Sequence, residues 1–595
     1  MKASNPVQLI DLPEDVLVLI FPHLDAQEFL ALCSTNKHFH VVFLKNPEYW
    51  RNQTTKNFRI PVQPLLKADG PRWYWLYKHL RKNTRVYDWG QSRMHSSFPA
   101  LEESLSGIGN IADIQCGGWC TSVLSSDGVI YLSGDIDQTG YGYLWATPGY
   151  NPLHFPGQPE NGRATYSPRT AIKQYSSGRA HILGLSDDGT LWYWGNTVPA
   201  QSIEFKNVVT IRNPRNRLEP GAITKIVAGW VLSSAFIAGT GIVYWNRANF
   251  DPNGPNSLAV SCKVIANTSF RRSRNSQRHE DNPGAAQGEV RNFIVLEGYI
   301  VFVTDSDKVY AVLEGEETPV ELPTFSAPGR VLLDIQGAFR KFAVFTSDGQ
   351  VLMGDHELIT AVFTIRRKKL QPPASAFIQP KMPPNLQNAG VISIAFGDHH
   401  FCVLHSNGKI SSHGREPGGC GALGLGSNLA RFGLRGIDTT EHDTKFFPFA
   451  EDELRYVWFE PEKYEWLRHL MSLTATNSAW LGHIQNDAEA SKQYAACVER
   501  AGNCWDNFPD IKAEDPDGLG SYFALSVACA GWRSAALVLV NEDLAKKTAK
   551  KHIRSPNGSS SSTVYRWNSQ RFPSSDFSAI DFDTWVYGLP PSTSE

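Results

Sequence analysis

The sequence predicts a mainly β protein, a seven-bladed β-propeller, with a small all-α domain at its N-terminus and a helical insertion before the last blade. Three observations support this prediction. A unit of strands and tight turns recurs about seven times through the body of the chain. The N-terminal residues carry an apolar helical pattern of a different kind. Glycine and tryptophan are plentiful, with 48 and 17 residues, as is typical of turn-rich β proteins.

The repeating unit is defined by glycines at a fixed spacing. A closing glycine follows a leading glycine by 17 residues in three copies, namely Gly117 with Gly134, Gly178 with Gly195, and Gly397 with Gly414. Asp-Gly or Asn-Gly pairs lie between them, and such pairs favour two-residue hairpins. Each copy therefore predicts strand, glycine turn, strand, tight hairpin and strand. The repeats lie near residues 111–134, 171–195, 223–245, 290–311, 331–354, 391–414 and 522–541.

Three or four strands cannot bury both faces of their own sheet, so the copies must pack on one another. Radial packing of about seven copies gives a β-propeller, which we assign to residues 85–568, followed by a C-terminal tail over 569–595. Residues 85–90 resemble the closing strand of a repeat that has no strands before it. We expect this strand to pair with the last blade near 525–540 and so to close the ring. Residues 563–567 are an alternative closing strand.

The N-terminal helices are predicted from capping residues and apolar spacing. Asp11 is suited to cap a first helix, with Pro13 in its opening turn. Asp25 and Glu28 form a capping box for a second helix, and Asn46 caps a later one. About forty residues cannot enclose so many large apolar groups, so some of these groups should face a partner or the next domain. An ordinary helical subdomain packed on the main body is the alternative.

The same stretch carries an ordered set of apolar motifs: Leu12-Pro13, Ile20-Phe21, Leu24-Asp25 and Phe29-Leu30-Ala31-Leu32. In order and spacing, residues 8–52 resemble the F-box, the short adaptor-binding domain of SCF-type ubiquitin ligases. The resemblance implies a non-catalytic protein that binds the SCF adaptor and, through it, cullin. The adaptor-binding residues implied by the resemblance are Leu12, Pro13, Ile20, Leu24, Leu30 and Leu32.

Two further segments are predicted to be helical. Residues 53–84 link the domains, and 71–80 form an amphipathic helix that either docks the two domains rigidly or serves as a plain linker. Residues 451–508 form an insertion before the last blade, in which Leu454, Val457, Trp458 and Leu467 suggest helices. This insertion is large enough to form a cap.

A histidine follows the leading glycine by three residues in two repeats, at His181 and His400. With the glycine spacing, this pattern resembles the repeats of the regulator of chromosome condensation, whose family forms seven-bladed propellers. Cys120 and Leu232 occupy the same place in two other repeats and depart from the pattern. An F-box combined with such repeats resembles fungal SCF-associated F-box proteins.

Composition and motifs give little support for cofactors, metals, nucleic acid or membranes. The net charge is −2 and 19% of residues are charged, so no strong field for nucleic acid or an anionic membrane is implied. No apolar run is long enough to span a bilayer. The nine cysteines are scattered, and neither they nor the histidines near residue 400 have the spacing of a metal site. The glycine-rich run at 418–426 lacks a phosphate-binding Lys-Ser/Thr, so we expect no cofactor. Without a signal-peptide core, a cytoplasmic or nuclear location is expected.

Trp119, Trp230 and Trp532 lie near leading glycines, at the predicted blade tips. Core packing is the default for such side chains, but exposed aromatics on one propeller face would anchor a protein substrate. Three functions are compatible with the sequence. The first is a substrate receptor of an SCF ubiquitin ligase, whose propeller binds a protein for ubiquitination and proteasomal degradation. The others are a guanine-nucleotide exchange factor for a small GTPase and a scaffold outside the ligase. The F-box favours the first, because nucleotide exchange does not need it, although fold alone does not fix function.

Overall fold

The computed structural model describes residues 9–61, 65, 69–80, 84–90, 98–137, 149–158, 166–195, 199–246, 256–272, 283–368, 377–417, 419–426, 435, 437–439, 443–446, 454–467, 488–503, 505–506 and 509–553. It is a seven-bladed β-propeller with a helical domain at the N-terminus. The predicted fold class is therefore confirmed.

Helices form the N-terminal domain and several segments around the propeller. The α-helices are Glu14–Ile20, Ala26–Thr35, Lys37–Phe43, Pro47–Phe58, Gly70–His79, Pro283–Gln287, His356–Arg367, Ala488–Asn503, Pro509–Ala513 and Glu542–Ile553. Single turns of 3-10 helix are Leu9–Asp11, Phe21–His23, Glu103–Leu105, Pro323–Phe325 and Pro384–Leu386.

The N-terminal helices begin where the capping residues predicted, with one exception. Asp25 and Glu28 form the predicted capping box, each carboxylate accepting the other residue's backbone N–H at 2.9 and 2.8 Å. Asn46 caps Pro47–Phe58. Asp11 does not cap the first helix, which begins at Glu14, directly after Pro13. Proline disfavours a helical backbone in the residue before it, so the helix cannot extend back to Asp11.

Each blade is a sheet whose strands follow one another outward from the centre of the ring. Blade 1 contains Ile111–Cys116, Cys120–Ser125, Ile130–Gly134 and Asn151–Pro152. Blade 2 contains Ile172–Ser177, Ile182–Ser186, Leu191–Trp194, Gln201–Phe205 and Ser257–Val260. Blade 3 contains Ile223–Ala228, Leu232–Ile237, Gly241–Asn246 and Lys263–Val264. Blade 4 contains Val290–Leu296, Tyr299–Thr304, Val309–Leu313 and Val320–Glu321. Blade 5 contains Leu332–Ala338, Lys341–Thr346 and Val351–Asp355. Blade 6 contains Val391–Phe396, His400–His405 and Ile410–Gly414. Blade 7 contains Tyr522–Ala530, Arg533–Val540, Thr84–Gly90 and Ala100–Leu101. A small separate sheet contains Glu416–Pro417, Ile437–Thr439 and Asp443–Phe446.

The ring is closed by a strand from the beginning of the propeller. Thr84–Gly90 runs antiparallel to the second strand of blade 7, with Val86 opposite Leu537 and Trp89 opposite Ser534. The predicted closure by this strand is therefore confirmed. The alternative closing strand, 563–567, lies outside the described residues.

The connections between strands lie on two opposite faces of the ring. In every blade the innermost strand runs antiparallel to the second strand, so the loop between them lies at one end of the blade. The turn after the second strand lies at the other end. We call the first end the mouth face and the second end the hairpin face. The innermost strands surround a central cavity of about 250 Å³, and five glycines near the mouth face line it: Gly118, Gly178, Gly229, Gly337 and Gly531.

Part of the insertion differs from its prediction. Residues 454–458, which the sequence suggests are helical, have no regular helix. The N–H of Val457 donates to the carbonyl of Ile410 at 2.8 Å, so the chain here continues the outer edge of blade 6. An unpaired strand edge offers free backbone groups, and pairing with it outweighs the helical pattern. Residues 461–467 and Ala488–Asn503 are helical. Phe459 packs on Tyr87 of blade 7 with ring centroids 5.1 Å apart, so this region lies beside blades 6 and 7.

Candidate functional site

The N-terminal domain exposes apolar side chains that its own core does not cover. That core is built from buried aromatic rings: Phe21, Phe29, Phe39, Phe43, Tyr49 and Trp50. Leu19 on the first helix is 72% exposed and Val41 on the third helix is 71% exposed. The two helices adjoin, since Glu14 on the first lies 3.9 Å from His38 on the third. Large exposed aliphatic side chains on adjoining helices are typical of a protein-binding surface.

The predicted adaptor-binding residues differ in their exposure. Pro13 and Leu30 are exposed, and Ile20 is half-buried without packing on the core. Three are half-buried and pack against the core: Leu12, Leu24 and Leu32. The second group therefore contributes to folding as well as to any contact with a partner. Sequence reasoning missed Leu19 and Val41, although Leu19 lies three residues after Val16 on one helical face, which was a usable signal.

A residue in the left-handed conformation ends the last helix of this domain and anchors it to the propeller. Arg59 follows Pro47–Phe58 with a φ of 57°. Its guanidinium donates two hydrogen bonds to the Asp187 carboxylate, at 2.7 and 2.8 Å, and its Nε donates to the carbonyl of Ser126 at 2.8 Å. Ser126 and Asp187 follow the second strands of blades 1 and 2. The helical domain therefore lies on the hairpin face.

The helix Gly70–His79 provides a second anchor. Arg72 is buried and donates from Nη1 to the carbonyl of Ser406 in blade 6, while its guanidinium lies 4.9 Å from the centre of the Phe523 ring in blade 7. Burial lowers the pKa of Arg72 to about 10, so the side chain is still charged at neutral pH. His79 lies 2.6 Å from Asp517, just before blade 7. Of the two roles that the sequence left open for this helix, docking the domains is the one that the structure shows.

On the mouth face, side chains at the blade tips form a stack. The Arg179 guanidinium carbon of blade 2 lies 4.7 Å from the Trp119 ring of blade 1 and 4.2 Å from the Trp230 ring of blade 3. Trp230 stacks in turn on Phe339 of blade 5, with centroids 4.4 Å apart and planes at 24°. Cation–π contacts of this kind hold an arginine in a fixed orientation. Two of the three predicted tryptophans are thus brought together around one cation.

An acidic residue fixes the centre of this stack from across the ring. Asp398 of blade 6 accepts two hydrogen bonds from Nη1 of Arg179, at 3.0 and 3.1 Å. The backbone N–H of Asp398 donates to the carbonyl of Gly531 at 3.0 Å, which ties this tip to blade 7. The third predicted tryptophan, Trp532, follows that glycine and is 37% exposed. The tips of blades 1, 2, 3, 5, 6 and 7 therefore form one aromatic and charged surface.

Sequence reasoning missed three members of the mouth face, namely Arg179, Phe339 and Asp398. Each lies at the turn between the first and second strand of its blade, as Trp119 and Trp230 do. A comparison of the tip residues of all repeats would have placed them on the same face of the propeller, although not in contact with one another. Their shared position in the repeat was the usable signal, and it was missed because only the tryptophans were considered.

The two histidines at the repeat position connect neighbouring blades. His400 Nε2 lies 2.7 Å from Ser534 Oγ of blade 7, and His181 Nε2 lies 2.8 Å from Ser233 Oγ of blade 3. Burial lowers the pKa of His400 to about 4, so its ring is neutral at pH 7. Within the described residues, no group of histidine, cysteine and acidic side chains is arranged to hold a metal ion. In the same part of the chain, no helix has the length and apolar character to cross a membrane.

Comparison with known proteins agrees with this organisation. Residues 9–56 match the family model described as F-box-like. The chain is 26% identical over 255 residues to SCF-associated factor 1 of Saccharomyces cerevisiae, covering 42% of this chain but only 34% of that relative's length. It is 22% identical over 452 residues to F-box protein pof9 of Schizosaccharomyces pombe, covering 71% of this chain and 80% of pof9. Among solved structures, Prp20p from Saccharomyces cerevisiae aligns with 80% of this chain and 97% of its own, with a TM-score of 0.42 and 14% identity. This chain thus carries an F-box-like domain on a seven-bladed propeller and is a homologue of SCF-associated factor 1 and pof9.

Proposed function

We propose that this protein is the substrate-recognition subunit of an SCF-type ubiquitin ligase. The opposite placement of its two surfaces carries the proposal. The F-box-like domain is anchored on the hairpin face by Arg59 and Arg72, whereas the aromatic and charged tips lie on the mouth face. Such an arrangement leaves one end of the molecule for the adaptor and the other end for a protein substrate. The names of the two fungal relatives, an SCF-associated factor and an F-box protein, support the assignment of the first end.

In this function the chain itself makes and breaks no covalent bonds. It holds a substrate near the conjugating component of the ligase and so raises the effective concentration of substrate lysines there. Recognition by loops on a rigid scaffold is common, and the blade tips are such loops. Ubiquitination followed by proteasomal degradation is the expected fate of the bound protein.

The adaptor surface is tested by shortening its most exposed aliphatic side chains. Leu19→Ala with Val41→Ala should weaken binding of the purified adaptor more than about tenfold, because burial of each such side chain contributes about 1.5–3 kcal/mol. Leu12→Ala with Pro13→Ala should also weaken binding, with some loss of stability because Leu12 packs on the core. Val209→Ala is the matched control, since Val209 is 76% exposed on a propeller loop. An unchanged dissociation constant for the Leu19/Val41 variant would contradict the proposed adaptor surface.

The substrate role is tested with full-length protein that cannot engage the adaptor. Leu19→Asp with Val41→Asp places charges on the adaptor surface and leaves the mouth face intact. The variant should hold substrates without their ubiquitination, so proteins degraded through the wild type should have longer half-lives. The measurement is protein half-life across the proteome with each version. If no protein is stabilised and a small GTPase is recovered with the chain instead, nucleotide exchange replaces the ligase function.

A further inference from the structure

We infer that Cys402 of blade 6 and Cys529 of blade 7 form a disulfide when the protein meets a peroxide, and that this bond clamps the ring at the seam between its last two blades. The inference goes beyond the proposed function, because it concerns redox control of the propeller's own stability. It depends on three observations. The two thiols adjoin across the seam, one of them lines the central cavity, and the other lies among hydrogen-bonding groups.

The two cysteines meet at one hydroxyl group. Cys402 lies on the second strand of blade 6 and Cys529 on the innermost strand of blade 7. The Sγ atoms of Cys529 and Cys402 lie 3.4 and 3.9 Å from Ser534 Oγ, and the two thiols hydrogen-bond to each other. Both side chains are buried, and both thiols are free. Thiols this close need rotation of their side chains, rather than separation of the blades, to form a bond.

The pairing across two blades distinguishes these cysteines from an ordinary buried cysteine. A buried cysteine usually serves as a small apolar side chain, so neither thiol alone would carry the inference. Cys116 of blade 1 also lines the central cavity, but it acts on Cys529 only through charge and makes no hydrogen bond with it. Cys402 is therefore the partner that the arrangement selects for Cys529.

The central cavity gives a small oxidant a way to Cys529. This cysteine lines the cavity of about 250 Å³ together with Arg179 and Asp398, whose side chains are 18% and 15% exposed at the mouth face. Hydrogen peroxide is only slightly larger than water, whose share of the liquid volume is about 30 Å³, so the cavity has room for it. Cys402 lies on the next blade, beside Cys529. We therefore expect the oxidant to reach Cys529 first.

The reaction takes two steps and one molecule of hydrogen peroxide. First, Cys529 Sγ attacks a peroxide oxygen, the O–O bond breaks, and the displaced hydroxide leaves with the thiol proton as water, so that Cys529 becomes a sulfenic acid. Then Cys402 Sγ attacks the Cys529 sulfur, the S–O bond breaks, and a second water leaves with the Cys402 proton. The two thiols are oxidised to a disulfide, and the peroxide is reduced to water.

The surroundings of Cys402 suit it to the second step. The hydrogen bond with Cys529 lowers the pKa of the Cys402 thiol, burial opposes this change, and hydrogen bonds with Ser534 and Ser412 lower the pKa further. The thiolate is the attacking form in such exchanges, so these groups favour attack by Cys402. The product would join two blades by a covalent bond and restrict the unfolded chain, which stabilises the folded ring.

The test treats the folded full-length protein with millimolar hydrogen peroxide, blocks the remaining thiols by alkylation, and maps the peptides without a reducing agent. We expect a peptide pair that links Cys402 to Cys529. The melting temperature should rise by about 5 °C or more and return to its first value with dithiothreitol. Absence of the linked pair, its formation only in denatured protein, or linkage of Cys529 to Cys116 instead would overturn the inference.

Variants of the two cysteines locate the effect. Cys402→Ala and Cys529→Ala should each remove both the linked peptides and the rise in melting temperature, and Cys402→Ser serves if the alanine variant does not fold. Cys262→Ala is the matched control, since Cys262 is a buried cysteine beside blade 3, and it should respond to peroxide as the wild type does. An equal rise in melting temperature in Cys402→Ala would contradict the inference. Adaptor binding by the same preparations tests the proposed ligase function separately.

Discussion

The two faces of the propeller differ in what their arginines hold together. On the hairpin face, Arg59 and Arg72 reach turns of blades 1, 2 and 6, and their hydrogen bonds are made within the chain. On the mouth face, Arg179 is bound by the Asp398 carboxylate of blade 6 and lies against the rings of Trp119 and Trp230. Both faces use arginine, but on the hairpin face its hydrogen bonds attach the helical domain to the propeller, and on the mouth face they join the tips of two blades across the ring.

The helical domain therefore has a fixed position relative to the mouth face. A domain anchored at several points on one face cannot turn freely relative to the other face, so whatever binds at the mouth is held at a fixed distance from the F-box-like domain. In the proposed ligase function, transfer of ubiquitin would depend on such a distance, because effective concentration falls when the two sites are not positioned together. The loops of the hairpin face are not all free to bind a partner, because the helical domain of the same chain covers part of that face.

The largest expected effect comes from opening the ring, because both faces then lose their positions. Removal of residues 1–92 deletes Thr84–Gly90 and exposes the edge of Arg533–Val540, whereas removal of residues 1–80 keeps the closing strand. The first version should aggregate, as exposed strand edges do, and the second should remain soluble. Size-exclusion chromatography and melting temperature are the measurements. Equal behaviour of the two versions would show that the closing strand is dispensable.

Much of the propeller was predictable because its repeat rests on local chemistry. Glycine at the blade tips and Asp-Gly in the hairpins mark turns that few other residues can form, as the positive φ of Gly128 and Gly189 shows. Ring closure was also predictable, because a strand that belongs to no complete repeat, Thr84–Gly90, needs the unpaired edge of another sheet as its hydrogen-bonding partner. The extended path of 454–458 was not, because the unpaired edge of blade 6 that attracts it exists only in the folded protein.

A smaller effect is expected from loosening the anchors on the hairpin face. Arg59→Ala removes two hydrogen bonds to Asp187, and hydrogen bonds to charged groups are worth about 1.5–3 kcal/mol each before solvent exposure reduces them. A double-mutant cycle with Asp187→Ala should give a coupling free energy of about 1–2 kcal/mol in urea denaturation. Adaptor binding should persist, while ubiquitination of a bound substrate slows. A coupling energy near zero would mean that the ion pair does not hold the domains together.

The candidate site was only partly predictable from sequence. Tryptophans at repeat tips could be named, because a large aromatic residue in a turn is conspicuous. Arg179 and Asp398 could not be paired, because they lie on blades 2 and 6 and only the closed ring brings them together. The anchoring arginines were missed for the same reason, since their partners are backbone carbonyls and a turn carboxylate far along the chain.

The smallest expected effect is a pH dependence at the seam between blades 6 and 7. His400 lies against Ser534 near the mouth face, and burial lowers its pKa to about 4 from an ordinary value of about 6.5. A backbone hydrogen bond with Arg533 opposes this shift, and the nearby charges of Lys341 and His399 add to it. The unfolded chain therefore binds more protons at this position than the folded chain between about pH 4 and 6.5. Neutral His400 therefore contributes fully to the free energy of unfolding above about pH 6.5, and this contribution is lost as the pH falls from about 6.5 to about 4.

The contribution of His400 is isolated by comparing the pH dependence of wild type with that of His400→Gln. Between pH 7 and 5.5 the histidine should account for a loss of about 1 kcal/mol in the free energy of unfolding, and His400→Gln should lack that loss. Burial raises the pKa of Asp88 and Asp113 to about 6, so these carboxyls favour the folded state at lower pH and partly mask the histidine in either protein alone. Their contribution cancels in the difference between wild type and variant, as does that of His413, whose pKa burial lowers to about 3. His40→Gln, at an exposed position on the F-box-like domain, is the control. If the difference between wild type and His400→Gln were the same at both pH values, the neutral histidine would not be part of what joins these two blades.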